Sequence, residues 1–514
     1  MNGADALIET FVDNDVTACF ANPGTSEMQF VSALDRQPKM RPVLCLFEGV
    51  ATGAADGYGR IAGKPACTLL HLGPGYGNGL ANLHNARRAF TPIVNVVGDH
   101  ATYHRQHDAP LASDIAAIAG ANSVWVKSPE SADQVSAFAA AAITSAFGPP
   151  GGSASLILPA DCAWNETNSA SAKATRRAKA TVPVATVEDV ARQIKGAAKR
   201  VLLLGTTACD EASLEAAGRL AAAGVRVLTD TFVGRQPRGV GRFAPDRMMY
   251  FGEMALNDLA GVDLMVLVET KAPVAFFAYP DKPSVLVPEG CETLLLAALG
   301  EDGAAAMDAL ADAIRAPQTA HHQPLKLPEA AASGPLTPAA VGVAIARHLP
   351  EGAIVSDDSV TAGQSIINAT RSGRAHDWLG LTGGAIGQGI PVAVGAAVAG
   401  AGRKVVSLNG DGAGMYTLQG LWTLAREGLD VCVVVFANNV YRILGIELGR
   451  TGAGEPGPAS SKLLELGDPN IDWVSLAKGL GLPAVRCQTA EAFDAAFARS
   501  MAEPGPSLIE AVVP

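Results

Sequence analysis

Gly410-Asp411-Gly412 closes the apolar run KVVSLN, and Asn438 closes a second run, DVCVVVFA. Asp411 and Asn438 stand 27 positions apart. Each falls at the expected carboxyl end of a parallel strand, where open α/β sheets bind ligands. A carboxylate oxygen of Asp411 and an amide oxygen of Asn438 are hard donors. Two such ligands leave octahedral positions for phosphate oxygens and water, the usual surroundings of Mg²⁺. The glycines let the backbone approach a diphosphate, and a helix opening at about Ala413 would add N–H donors. Three further positions stand out: Glu48, between PVLCLF and GVATGAADGYGR; His71, ending CTLLH; and the pair Asp357 and Ser359, after AIVS. Taken singly, each also has a commonplace reading as a helix-start carboxylate, a turn histidine or a helix cap.

The elements that must position these residues follow a repeated pattern. Short apolar runs at 42–47, 67–72, 92–99, 201–205, 225–230, 263–269, 353–358, 404–411 and 430–438 alternate with helical stretches. Continuous apolar strands joined by crossover helices predict parallel sheets covered on both faces. Two weakly patterned stretches, from Asn165 to about Pro183 and from about Ala316 to Pro335, read as connections, since neither can bury a continuous apolar face. The expectation is α/β, with three tandem doubly wound parallel-sheet domains at 1–168, 183–318 and 335–514. The fold alone says nothing about chemistry.

Composition narrows the field. A net charge of −11 across 514 residues argues against nucleic acid or an anionic membrane as partner. No run approaches the ~20 uninterrupted apolar residues of a membrane span. The start, MNGADALIETFVDNDV, lacks the pattern of a signal peptide, and eight scattered cysteines without a CxxC pair read as reduced, buried thiols. A cytoplasmic location is expected. A nicotinamide dehydrogenase is disfavoured, because no GxGxxG follows a first strand with an acidic residue ~20 positions on.

GDG followed by Asn438 resembles the thiamine-diphosphate family that includes acetolactate synthase, benzoylformate decarboxylase and pyruvate decarboxylase. The resemblance runs over nearly the whole chain, as pyrimidine-binding, middle Rossmann-like and diphosphate-binding domains. It implies bound thiamine diphosphate and Mg²⁺, with Asp411, Asn438 and the carbonyl of Val440 as metal ligands; Tyr441 registers Asn438 rather than Asn439. Gly410, Gly412, Ala413 and Ser359 then fall on the diphosphate side. Within TGGAIGQGIPVAVGAAVA, the Gly384 carbonyl would receive the 4′-amino group, and Ile386 would be the wedge under the thiazolium. Glu48 takes the place of the glutamate that meets N1′ of the aminopyrimidine, which lets the cofactor's own 4′-nitrogen remove the thiazolium C2 proton. NPGTSE puts Thr25 beside the substrate carboxylate, His71 takes a proton-relay position, and Gly77-Asn78 match the family's Gly-Asn turn.

The resemblance implies a small-molecule 2-oxo acid as substrate and active sites at the subunit interface of a homodimer or homotetramer. The expected reaction is decarboxylation of benzoylformate decarboxylase type, with or without carboligation; acetolactate-synthase-like condensation of pyruvate is the alternative. The chain departs from both relatives. KAPVAFFAYPD (271–281) lacks the decarboxylase's second histidine, and VETKAPV lacks the synthase's arginine. VLLLGTTA keeps one glycine of the flavin-binding turn, so no tightly bound FAD is expected. The arginines of GRQPRGVGR (234–242) read as a solvated loop face, and Phe276, Phe277 and Tyr279 equally as part of an apolar or aromatic pocket or as a buried strand end.

Overall fold

The computed structural model describes residues 1–514 and places three sheets in succession. The first is built from strands Ala18–Ala21, Arg41–Leu44, Ala66–Leu70, Ile93–Asp99, Trp125–Lys127 and Ser153–Pro159, all parallel. The middle sheet takes Arg200–Leu204, Arg226–Thr229, Asp246–Arg247, Leu264–Val268 and Glu292–Ala297, again parallel. The third runs through Ala353–Asp358, His376–Leu379, Val405–Gly410, Val431–Ala437, Ala484–Cys487 and Ser507–Val512. Every residue of Val431–Ala437 is buried, as a strand covered on both faces requires. Residues 165–183 and 316–335 carry no helix and only isolated bridges.

One expectation is overturned. Gln236–Arg238, read from sequence as solvated loop, is a seventh strand of the third sheet, antiparallel to His376–Leu379. Arg238 is buried there, its guanidinium over the Trp378 ring and donating to the Ile367 carbonyl at 2.7 Å. An edge position tolerates Pro237, because its missing N–H can face away from the ladder. The arginines had suggested water; the ladder and the Trp378 face outweigh them.

The first and third regions meet along helices Glu48–Ala62 and Gly389–Ala399. Small residues let the two backbones touch: a Cβ on Gly57 would lie 2.0 Å from the Val392 carbonyl oxygen, and one on Gly395 1.7 Å from that of Ala54. Beside this crossing, Arg60 is buried with Asp56 as its carboxylate partner. It also donates to the Gly380 carbonyl at 2.7 Å and the Gly234 carbonyl at 3.3 Å, so one guanidinium joins all three regions.

A second tie runs from the middle region to helix Arg442–Arg450. The Arg450 guanidinium lies between the Phe251 and Tyr279 rings, 4.2 and 4.6 Å from their centroids, and pairs with Glu253. The Tyr279 hydroxyl donates to Glu447 on the same helix at 2.7 Å. Arg450→Ala removes two cation–π contacts and a paired charge. It should cost about 2 kcal/mol, read as a shift in the midpoint of chemical denaturation at unchanged slope.

Seven cysteines are buried and Cys291 is half-buried; none is paired. No helix is long and apolar enough to cross a membrane.

Candidate active site

Strands Val405–Gly410 and Val431–Ala437 are neighbours in parallel register, Gly410 opposite Phe436, so the segments leaving their carboxyl ends emerge side by side. The helix after the first of these opens at Asp411, two residues before the expected position, and runs to Met415. Asp411 is buried, and its carboxylate gathers the loop after the second strand. One oxygen accepts from the N–H groups of Asn438 at 3.0 Å and Asn439 at 2.7 Å; the other accepts from Gly412 N–H at 2.9 Å. Burial pushes this carboxyl up, while the N–H groups of Asn439, Gly412 and Asn438 pull it back. The Asn438 side-chain oxygen accepts from Val440 N–H at 3.2 Å.

Asp411, Asn438 and Val440 share a cavity of about 90 Å³ with Ser359, Ile386, Gly410, Gly412, Ala413 and Tyr441. Its floor at Gly412 admits no side chain, since a Cβ there would lie 2.2 Å from the Tyr441 ring. The donors are one carboxylate, one amide and one carbonyl. No three His, Cys, Asp or Glu side chains cluster anywhere in the chain to hold a metal by themselves. A hard cation at Asp411 would need oxygens from a second ligand, and a diphosphate against Gly410 and Gly412 would provide them. The residues present fit both groups.

Gly384 and Ile386 lie on a turn between Gly380 and Gly389 that is fixed from several sides. Gly384 has φ +74°, a left-handed conformation natural to glycine. Asn85 donates to the Ala385 carbonyl at 2.8 Å and accepts from Ala385 N–H at 3.2 Å; the Thr417 hydroxyl donates to the Gly387 carbonyl at 2.7 Å. Phe276 reaches this turn from the middle region: a Cβ on Gly384 would sit 2.8 Å from its ring. Phe276 belongs to an aromatic group with Phe232, Tyr250 and Phe277, at centroid separations of 5.8, 5.1 and 5.0 Å. These four rings line a larger cavity of about 980 Å³ that shares Ile386 and Tyr441 with the smaller one. Tyr279 is not among its lining residues; its hydroxyl is engaged by Glu447.

The candidate residues of the first sheet form a second group. Glu48 is buried at the first position of helix Glu48–Ala62, where the helix N-terminus favours a carboxylate. Asn78 donates to it at 3.0 Å. His71 caps helix Leu72–Ala89, and its side chain is 22% exposed. Its Nδ1 lies 2.9 Å from a carboxylate oxygen of Glu27 and 3.3 Å from the Ser26 hydroxyl. Thr25 starts the short turn Thr25–Glu27 and is exposed. Neither cavity is lined by a residue before Arg226, so Glu48, His71 and Thr25 lie outside both.

Glu27 is the functional candidate that sequence reasoning passed over, although it ends the NPGTSE motif. It is buried, and it also accepts from Gly24 N–H at 2.7 Å. A carboxylate on Nδ1 sets the tautomer and the direction of the imidazole, leaving Nε2 for proton transfer. Glu27→Gln keeps the shape and removes the charge. Turnover should fall roughly 10- to 100-fold, the loss seen when the orienting partner of a histidine is removed at metal sites. Steady-state kinetics beside an unchanged thermal melt would show it.

Sheet order and the cavity at the carboxyl ends of its strands define an α/β protein with a site where open parallel sheets bind ligands. Comparison with known proteins makes the class specific. Residues 1–118 match the N-terminal TPP binding domain of thiamine pyrophosphate enzymes, and residues 358–511 match the C-terminal TPP binding domain. A Mycobacterium tuberculosis protein provisionally named acetolactate synthase large subunit IlvX is 52% identical, over 100% of this chain and 99% of its own. Pseudomonas aeruginosa benzoylformate decarboxylase is 27% identical over 98% of this chain and 97% of its own. Among solved structures, the Rhodococcus jostii thiamine diphosphate-dependent 4-hydroxybenzoylformate decarboxylase superposes with a TM-score of 0.85 at 24% identity, covering 100% of this chain and 99% of that one. Polynucleobacter necessarius benzoylformate decarboxylase gives 0.84 at 24% identity over 100% of this chain and 99% of that one; at such identity the likeness is one of fold. The chain belongs to the thiamine pyrophosphate enzyme family. It is a thiamine-diphosphate-dependent enzyme.

Proposed function

We propose that this enzyme decarboxylates a 2-oxo acid bearing an aromatic or bulky apolar group, in the manner of benzoylformate decarboxylase, with or without carboligation. The observation that carries the reading is the aromatic wall of Phe232, Tyr250, Phe276 and Phe277, whose Phe276 ring lies against Gly384. Such a surface accepts a flat apolar substituent through burial and offset ring contacts.

In this reading Asp411, Asn438 and Val440 hold Mg²⁺, and Gly410, Gly412, Ala413 and Ser359 receive the diphosphate. Gly384 takes the 4′-amino group, Ile386 supports the thiazolium, and Glu48 with Asn78 engages N1′. The bound cofactor supplies an electron sink for the bond to the departing carboxylate. Thr25 orients that carboxylate, and His71, held by Glu27, delivers a proton to the carbon it leaves. The aromatic wall offers a carboxylate little solvation, which favours loss of its charge. The separation of Glu48 from Asp411's cavity within one chain supports a homodimer or homotetramer, the first-sheet residues of one subunit facing the third-sheet cavity of its partner. The reading includes no flavin.

Condensation of pyruvate, as an acetolactate synthase would perform it, is the second reading, favoured by the provisional name of the 52% identical relative. Carbon dioxide release with thiamine diphosphate and Mg²⁺, from phenylglyoxylate and pyruvate in parallel, separates the two. Benzaldehyde from phenylglyoxylate is the expected product. Acetolactate from pyruvate, with phenylglyoxylate inert, would replace the first reading by the second.

A further inference from the structure

Asp358 is 1% exposed and ends strand Ala353–Asp358, directly under the turn that carries Gly384 and Ile386. One carboxyl oxygen accepts two backbone N–H groups of that turn, from Gly387 at 2.7 Å and Gly389 at 3.2 Å. The other oxygen is buried and has no partner. Asn409, 1% exposed, stands opposite Asp358 in the parallel register of the next strand, and its side-chain oxygen is also buried without a partner. Paired residues of adjacent parallel strands present their side chains on the same face. Both crowd Gly389, where a Cβ would lie 2.2 Å from the Asn409 oxygen and 2.9 Å from Asp358 Cβ. Asn409 has already committed its amide nitrogen to the Ser407 hydroxyl at 3.0 Å.

Turning the Asn409 amide over, so that its NH₂ faces Asp358 and its oxygen accepts from the Ser407 hydroxyl, satisfies both groups. We propose that Asp358 is a positioning residue for the cofactor: one of its oxygens accepts from Gly387 and Gly389 and so fixes the turn that presents Gly384 and Ile386. Burial, reinforced by the neighbouring Asp357 carboxylate, pushes the Asp358 carboxyl up to about 7 against the pull of the turn's N–H groups. The other fixings of the turn, from Asn85, Thr417 and Arg60, leave its stretch from Gly387 to Gly389 with Asp358 as the side chain receiving its N–H groups. The role rests on the reading of Gly384 and Ile386 given above.

Calorimetric titration of thiamine diphosphate with Mg²⁺ into wild type, Asp358→Asn, Asp358→Ala and Ile386→Ala tests it without an activity assay. An Asn side chain keeps an oxygen that can accept both N–H groups, so Asp358→Asn should bind within about threefold of wild type. Asp358→Ala should bind at least tenfold more weakly, as should Ile386→Ala. Asp358→Asn as weak as Asp358→Ala would mean that charge is required and would overturn the proposal. Tight binding by Asp358→Ala beside weakened binding by Ile386→Ala would remove Asp358 from the cradle while leaving the turn's role intact. Tight binding by Ile386→Ala would sink the reading of the turn and the proposal with it. If Asp358→Ala fails to fold, Asp358→Asn decides alone: binding within about threefold of wild type supports the acceptor role, and binding about tenfold weaker overturns it.

Discussion

Glu48→Gln is expected to leave thiamine diphosphate bound and to lower turnover by about 10²- to 10⁴-fold, the usual range for a positioned acid or base. Glu48 is buried at a helix start, and Asn78 is its side-chain partner. A glutamine has the same volume and can still accept from Asn78. It cannot share a proton with a ring nitrogen, and its NH₂ group can only donate where a carboxyl could also receive. The loss should therefore appear in kcat, with cofactor affinity by calorimetry changed less than about tenfold. Turnover within a few-fold of wild type would remove Glu48 from the mechanism.

Asp411→Ala should act on the opposite quantity. Its carboxylate is the charged member of the proposed metal set and the acceptor for three N–H groups, of Gly412, Asn438 and Asn439. Removing it leaves donors unsatisfied at about 1–3 kcal/mol for each that stays buried, and it loosens the loop that carries Asn438 and Val440. Mg²⁺-dependent retention of the cofactor should fall by two orders of magnitude or more, roughly 3 kcal/mol at 1.4 kcal/mol per tenfold. Titration of Mg²⁺ at fixed thiamine diphosphate measures it. An unchanged Mg²⁺ requirement would show that the cation sits elsewhere.

What could be read from the chain followed from how local each signal is. Val405–Gly410 and Val431–Ala437 are continuous apolar runs, and Asp411 and Asn438 stand directly after them, so strand end and ligand were visible together. Ala18–Ala21 was not, because four residues of ACFA carry no period. Ser153–Pro159 was hidden by serines that look solvent-facing; in the fold Asn95 donates to Ser153 at 2.7 Å and Ser155 at 3.1 Å. The unforeseen site residues act across distance in sequence. Glu27 meets His71 44 positions on, and Asn85 meets Ala385 300 positions on. Asp358 had a visible neighbour in Ser359, but Asn409 comes to lie beside it only in the fold. Packing of that kind is three-dimensional information, and no spacing rule encodes it.

The strand Gln236–Arg238 bears on how such enzymes could be recombined. It lies in the chain between two strands of the middle sheet, Arg226–Thr229 and Asp246–Arg247, but completes the edge of the third. Trading the middle region for that of a relative would also trade away this cover. An ill-matched replacement would leave His376–Leu379 with a bare row of N–H and C=O groups, a template for pairing with another molecule. Hybrids would then fail by self-association, with their catalytic groups intact. A workable graft would keep residues 236–238 with the sheet they seal, whichever parent supplies the rest of the insert.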